Sequence, residues 1–151
     1  MFKLSKLADY STVIMAHMAR EPERLMSATN IAAETGLGLP TVGKLLKQLA
    51  RTTLVSTHRG RRGGYTLGRA PALISAADII DAIEGRFGLT ECASNPGACR
   101  HERACGVRRH WLHVDRAVRR ALEGLTLTQL AGPARAMSSA VVFHRPRGAR
   151  L

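Results

Sequence analysis

Apolar residues recur at helical spacing in the first fifty residues and predict three helices. The first covers residues 4–20, where apolar side chains share one face and a proline follows. Ser27 can cap a short second helix that ends at Gly36. A third helix extends from Pro40 to about Arg51, with its apolar positions on the core side: Val42, Leu45, Leu46 and Leu49. Two short helices joined by a glycine-containing turn predict a helix-turn-helix.

Two strand-like runs follow the third helix and predict a β-hairpin. Residues 54–58 and 64–67 flank the turn sequence Arg59-Gly60-Arg61-Arg62-Gly63, which gives the hairpin a cationic tip. Ser75 and Asp78 then have the spacing of a capping box for a helix that ends at Gly85. Residues 88–106 have no periodicity and predict a loop.

The most regular apolar pattern lies in residues 107–123, which predict a long helix. Its apolar positions alternate spacings of four and three, which is typical of a helix packed against another helix. No other predicted helix in the chain has equal length, so we expect this seam to form a homodimer interface through Val107, Trp111, Val114 and Val118. Residues 125–130 predict one further helical turn. The predicted fold is therefore mainly α with a small β-hairpin wing: a winged helix-turn-helix plus a long C-terminal dimerisation helix.

Charge divides the chain into three regions. The 151 residues contain 23 Lys and Arg against 11 Asp and Glu, a formal charge of +12 that indicates a polyanionic partner. Residues 1–70 carry +7 of this, and are predicted to be the DNA-binding region. Residues 71–131 carry +1 and hold the linker helix, cysteine loop and dimerisation helix. Residues 132–151 carry +4 with no acid and predict a basic, disordered tail.

The third helix and the hairpin supply side chains suited to double-stranded DNA. The major groove admits one helix, and the outer face of this one is cationic and hydrogen-bonding through Thr41, Lys44, Lys47, Gln48 and Arg51. Arg59, Arg61 and Arg62 of the hairpin could reach phosphates or a narrow minor groove. The simpler alternative is that these lysines only solvate a surface helix. Gly43 lies inside this helix and costs it roughly 1 kcal/mol of stability relative to alanine. The glycine could allow a base edge or a phosphate to approach closely, or it could be a neutral substitution at an exposed position.

Three cysteines lie within 14 residues of the predicted loop, at Cys92, Cys99 and Cys105. An odd number in polar surroundings favours metal ligation in a reducing compartment over disulfides, whereas three unrelated thiols are the alternative. The gaps are wider than the C-x2-C knuckles of zinc sites, and thiolates also hold iron-sulfur clusters. No apolar run is long enough to span a membrane and no signal peptide is evident, so we expect a cytoplasmic protein with no membrane partner.

Taken together, these motifs resemble those of the iron-sulfur winged-helix transcriptional regulators, the group that contains IscR and NsrR. The resemblance covers about residues 1–131 and is strongest to regulators of the Suf cluster-assembly system. It lies in residues 4–10, the helix-turn-helix from Ile31 to Leu49, the hairpin, and the cysteine loop followed by Trp111. It implies a homodimer, a cluster held by Cys92, Cys99 and Cys105, and DNA occupancy that depends on the state of that cluster.

Two positions depart from that family pattern. IscR-type proteins have a histidine three residues after the last cysteine, but Arg108 stands there, so the resemblance leaves open a 2Fe-2S or a 4Fe-4S cluster. NsrR-type proteins use an aspartate from the first helix of the partner subunit; Asp9 matches it and is our first choice of fourth ligand, before His110. The second departure is Thr52-Thr53, where the family has a glycine, and we expect a slightly strained exit from the third helix.

These features favour a repressor that binds a DNA operator, senses iron-sulfur status and regulates Suf genes. A nitric-oxide or redox-responsive repressor of the same family, and a cluster-free sensor that oxidises its thiols, are the alternatives. A small thiol or metal enzyme is not expected, because no Ser/His/Asp or paired-carboxylate arrangement accompanies the cysteines.

Overall fold

The chain forms seven α-helices and one β-hairpin in a computed structural model, which describes residues 4–86 and 88–132. This confirms the predicted mainly helical fold with a small hairpin. The helices are α1 Lys6–Met18, α2 Ala28–Thr35, α3 Leu39–Arg51, α4 Ala76–Glu84, α5 Glu91–Ser94, α6 Arg108–Glu123 and α7 Leu127–Ala131. The strands are β1 Val55–His58 and β2 Gly64–Leu67, paired antiparallel. No helix within the described ranges is long and apolar enough to cross a bilayer.

Side-chain caps determine where the helices begin. The Ser27 hydroxyl accepts a hydrogen bond from the Asn30 N–H at 3.1 Å, and α2 ends at Gly36, which is left-handed with φ of 73°. At α4 the predicted capping box is present: the Asp78 N–H donates to the Ser75 hydroxyl, and the Asp78 carboxylate accepts from the Ser75 N–H at 2.8 Å. These local bonds explain why the helix boundaries could be anticipated closely.

The exit from α3 is strained, as expected at Thr52-Thr53. Thr53 has φ of 60°, and no other described non-glycine residue has a positive φ. For a residue with a Cβ this left-handed conformation costs roughly 1–2 kcal/mol. The turn lies directly against Gly68, where an added Cβ would stand 2.1 Å from the Thr53 carbonyl oxygen. The strained turn therefore brings β1 and β2 back against the end of α3.

One hydrophobic core connects the helix-turn-helix to later elements of the chain. Ile14, Leu46, Ile79 and Leu127 are all fully buried in a single cluster. The turn predicted over residues 125–130 is α7, and it docks through backbone bonds from the Leu127 N–H to the Ile74 carbonyl at 2.7 Å and from the Ala76 N–H to the Leu125 carbonyl at 2.8 Å. The core thus includes residues on both sides of position 70, and the functional division of the chain at that position stays a prediction.

The cysteine region is more structured than predicted. It contains α5 and a 3-10 turn at Glu102–Ala104 rather than loop alone. Short-range bonds account for this: the Ser94 N–H and hydroxyl both donate to the Thr90 carbonyl, which closes one helical turn too short to show a period. The tail predicted over residues 132–151 lies, from position 133 onward, outside the described residues.

Candidate DNA interface and cysteine segment

Helix α3 presents a cationic surface on the side opposite the core. Val42, Leu45, Leu46 and Leu49 are buried, as predicted, whereas Lys44, Lys47 and Arg51 are exposed and Thr41 is half-buried. A shallow depression of about 520 Å³ follows this surface and is lined by Pro40, Gly43, Lys44, Lys47, Gln48 and Arg51. The placement is suited to a polyanion lying along the helix.

Gln48 occupies a different position from the one predicted. Its side chain is half-buried, and the amide Nε2 donates a hydrogen bond to the Ile83 carbonyl oxygen at 3.0 Å. The amide therefore connects α3 to the C-terminal end of α4, and one of its N–H donors is engaged inside the protein. Helical periodicity gives only the direction in which a side chain leaves the helix, so this partner 35 residues away could not be foreseen.

The hairpin holds its three arginines together at one tip. Arg59, Arg61 and Arg62 are all exposed, and the turn is closed by a bond from the Gly63 N–H to the Gly60 carbonyl at 2.9 Å. A Cβ at Gly63 would stand 2.5 Å from the His58 carbonyl oxygen, so the close turn requires glycine there. Arg59 and Arg61 line a shallow depression together with Ser27 and Ala28, so this arginine tip lies beside the start of α2.

Backbone pairing attaches the hairpin to the start of α2. Met26 and Tyr65 exchange two hydrogen bonds, at 3.0 and 2.8 Å, and form an isolated antiparallel bridge. The hairpin is therefore held to the helix-turn-helix by β2 as well as by the Thr53 turn. Its position relative to α3 is determined at both ends.

The three thiols occupy different environments. Cys92 is buried in α5 with its Sγ 3.3 Å from the Thr90 hydroxyl, whereas Cys99 and Cys105 are half-buried in the segment that follows. All three are free thiols. Within residues 4–86 and 88–132, no three His, Cys, Asp or Glu side chains come close enough together to hold a metal ion. Asp9 and His110, the expected fourth ligands, are both exposed.

Carboxylates hold the cysteine segment to α6. Glu102 accepts from the Gly97 N–H at 2.6 Å and pairs with the Arg108 guanidinium at 2.7 Å. Asp115 of α6 accepts from the Leu89 N–H at 2.9 Å. The arginine at the position of the IscR-type histidine therefore has a structural partner in Glu102.

Helix α6 has two distinct faces. Residues 108, 112, 115, 119 and 122 are half-buried towards the chain's own elements, and the Arg119 guanidinium pairs with Asp81 of α4 at 2.8 Å. That hydrogen bond to Asp81 raises the pKa of Arg119 above its usual value. Each residue of the predicted seam comes one position before a residue of this half-buried face, so the seam lies on a different side of the helix. Val107, Trp111 and Val114 are 57%, 47% and 43% exposed, and Val118 is half-buried.

Sequence reasoning missed the inward face of α6. The predicted seam accounts for only one face of the helix, whereas on the neighbouring face Arg108 and Arg119 are both paired with carboxylates. The signal was present: positions 108, 112, 115, 119 and 122 also alternate spacings of four and three, with leucines at 112 and 122. Charged residues at the other three positions obscured it.

A second charge cluster joins α1 to α2. Glu34 accepts from the Arg24 guanidinium at 2.9 Å, and its other carboxylate oxygen lies 2.8 Å from His17 Nε2. The hydrogen bond from Arg24 lowers the pKa of Glu34, so the carboxylate stays ionised and holds these elements together. The cluster lies apart from the arginine tip and from the cysteines in sequence.

Comparison with known proteins identifies a common class. Residues 4–133 match the Rrf2 family, described as iron-dependent transcriptional regulators. The chain is 29% identical to CymR of Bacillus subtilis over 143 residues, which are 94% of this chain and 99% of CymR. It is 30% identical to NsrR of the same organism over 108 residues, which are 70% of this chain and 74% of NsrR.

Solved structures show the same likeness. CymR, the global cysteine regulator of B. subtilis, superposes with a TM-score of 0.68 at 31% identity, covering 87% of this chain and 97% of CymR. IscR of T. potens gives a TM-score of 0.65 at 27% identity and 85% coverage of both chains. These proteins are transcriptional regulators with winged-helix folds, which agrees with the helix-turn-helix and hairpin described above.

Proposed function

The chain belongs to the Rrf2 family of transcriptional regulators, and from this we propose that it is a homodimeric DNA-binding repressor that senses iron-sulfur status and controls cluster-assembly (Suf) genes. The observation that supports this proposal most strongly is that one domain combines two features. It has exposed cations on α3 and at the arginine tip, and it has a segment with three thiols that is hydrogen-bonded to α6. Regulators of transcription do not need a catalytic site, which agrees with the proposal that this chain is not an enzyme. The Suf assignment is supported by the resemblance of the motifs over about residues 1–131, which is strongest to regulators of the Suf system.

The chemical type of the available ligands is suited to an iron-sulfur cluster. Three free thiols in one short segment are suitable ligands, and Cys99 and Cys105 are accessible at the surface. Cys92, Cys99 and Cys105 would hold the cluster, with Asp9 of the partner subunit as fourth ligand and His110 as second choice. Because the thiols are not gathered in the described conformation, cluster binding requires the segment after α5 to rearrange. When bound, the cluster supplies sensitivity to iron and to oxidants.

A chain of contacts connects this segment to the DNA-facing helix. Asp115 holds Leu89 to α6, Arg119 joins α6 to Asp81 of α4, and Gln48 joins α4 to α3. We propose that rearrangement of the segment shifts α6 and, through α4, the two α3 helices of the dimer. Those helices must sit one DNA turn apart, roughly 34–36 Å, to occupy both half-sites. A small change in their spacing therefore changes operator affinity.

The deciding experiment is anaerobic purification with iron and sulfide counts, an absorption spectrum, and operator affinity before and after cluster removal. A coloured protein whose operator affinity changes on cluster loss supports the proposal. Colourless, iron-free protein whose affinity responds to oxidant and thiol reductant would instead establish the cluster-free thiol sensor, which the separated thiols favour. A cluster that responds to nitric oxide and not to iron supply would establish the nitric-oxide alternative.

Arg59 and Lys47 are expected to contribute differently to DNA binding. Arg59→Ala should weaken operator more than random duplex, because an arginine in a narrow A·T-rich minor groove reads its shape. Lys47→Ala should weaken both duplexes alike and reduce the slope of log affinity against log salt by about 0.9 per lost phosphate contact. The measurement is a salt titration of each variant on a duplex selected from a random pool. Equal losses for Arg59→Ala on both duplexes would show that the arginine tip only anchors the backbone.

The exposed seam of α6 is expected to be the subunit interface. Wild-type protein should sediment as a dimer at micromolar concentration, and Trp111→Ala should raise the dimer dissociation constant at least tenfold, roughly the effect of losing one interface hot spot. Leu25→Ala is the control, since Leu25 is similarly exposed, at 43%, but lies outside α6. A monomeric wild-type protein, or equal effects of the two substitutions, would refute the assignment.

A further inference from the structure

Gly43 lies inside α3 without a structural reason in the described chain. A Cβ built on it meets no atom within 4 Å, and its φ is not in the left-handed region. Gly68 differs, because a Cβ there would collide with the Thr53 carbonyl. Glycine is also a poor helix former. Within the described residues, neither packing nor backbone conformation therefore accounts for glycine at position 43, and a contact outside the chain is the functional alternative to a neutral substitution.

The residues around Gly43 indicate what kind of molecule could contact it. It lines the α3 depression with Pro40 one turn before it, and these two residues contribute no side-chain donor or acceptor to that lining. The peptide groups of Gly43 belong to the helical hydrogen-bond ladder. Lys44, Lys47 and Arg51 are exposed around these two residues and carry the charge. The cations attract a polyanion, while Pro40 and Gly43 offer that polyanion an apolar contact between them.

We propose that Gly43 is a specificity-determining residue whose bare Cα, together with Pro40, accepts the C5-methyl group of one thymine in the major groove. Among the features displayed by base pairs in that groove, the thymine methyl is the one that is recognised by apolar contact rather than by hydrogen bonds. Any side chain at position 43 would take up the volume of that methyl group. This inference rests on the proposed function, specifically on α3 entering the major groove.

The test combines Gly43→Ala with replacement of each thymine in a selected operator by uracil, which removes only the methyl group. Gly43→Ala should raise the melting temperature by a few degrees, because alanine is the better helix former. It should also weaken operator binding by roughly tenfold, the size of one mismatched base pair, and leave random-duplex binding unchanged. For wild-type protein, uracil at one position should weaken binding by about fourfold, the value of one buried methyl group. The operator affinity of Gly43→Ala should not change when the thymine at that same operator position is replaced by uracil.

Ala50→Gly is the matched control, since it exchanges the same two residues in the same helix. It should lower the melting temperature and leave the uracil pattern as in wild type. Wild-type operator affinity in Gly43→Ala would overturn the inference. So would an identical uracil pattern in both proteins, which would assign the contact to the sugar-phosphate backbone. If the wild-type protein selects no sequence from a pool of random duplexes, the proposed function is refuted as well. That result is obtained before any variant is made, so the two failures can be distinguished.

Discussion

Replacing Cys99 with alanine is expected to abolish stable cluster loading while the fold is retained. Cys99 is half-buried, lies outside every helix and strand, and does not belong to the hydrophobic core. The free energy of unfolding of the apoprotein should therefore change by less than about 0.5 kcal/mol, as for most surface substitutions. Cluster loading should fall to background, because two remaining thiols and one oxygen or nitrogen ligand leave the cluster a protein ligand short. Iron, sulfide and visible absorbance of anaerobically reconstituted protein measure this.

Arg100→Ala is the matched control for Cys99→Ala. It changes the adjacent, exposed residue and leaves all three thiols in place. Its iron and sulfide contents should equal those of wild type. If Cys99→Ala also retains wild-type contents, the ligand assignment is wrong and the segment serves another purpose.

Replacing Leu127 with alanine is expected to destabilise the whole domain, including the DNA-facing helices. The Leu127 side chain is fully buried in the same cluster as residues of α1, α3 and α4. Truncating a buried leucine to alanine typically costs about 2–5 kcal/mol. Urea denaturation followed by helical circular dichroism should show one cooperative transition displaced to lower urea concentration.

Leu73→Ala provides the comparison for Leu127→Ala. Leu73 lies close in space to the α7 docking region through the neighbouring Ile74, but is 69% exposed. Its truncation should change the free energy of unfolding by no more than about 0.5 kcal/mol. Equal destabilisation by the two substitutions, or a transition in which α1–α3 survive loss of Leu127, would contradict a shared core.

The elements predicted well from the sequence are those determined by neighbours in the chain. Ser27, Gly36 and the Ser75–Asp78 capping box act over three or four residues, so the helix ends were readable. The same holds for the hairpin, where two strand-like runs flank a turn rich in glycine and arginine. The strain at Thr53 was anticipated from the family resemblance, which implies a glycine where Thr52-Thr53 stands.

Features that depend on distant partners were not readable. Periodicity directed Gln48 away from the core of α3, and only the position of α4 shows that Ile83 receives its hydrogen bond. The inward face of α6 is held by charged pairs, which a hydrophobic pattern does not reveal. The cysteine spacing indicates ligands by chemical type, but the relative positions of the thiols depend on how Glu102 and Asp115 hold the segment.

The docking of α7 has a consequence for how the chain is made. Leu49 of α3 and Leu127 of α7 belong to one core but are separated by 78 residues of synthesis. At roughly 5–20 residues per second, Leu127 is added about 4–16 s after Leu49. During that interval the apolar side of α1 that α7 will cover stays open to water and to other nascent chains. The nascent chain is therefore more prone to aggregate before α7 has been made than after α7 has docked.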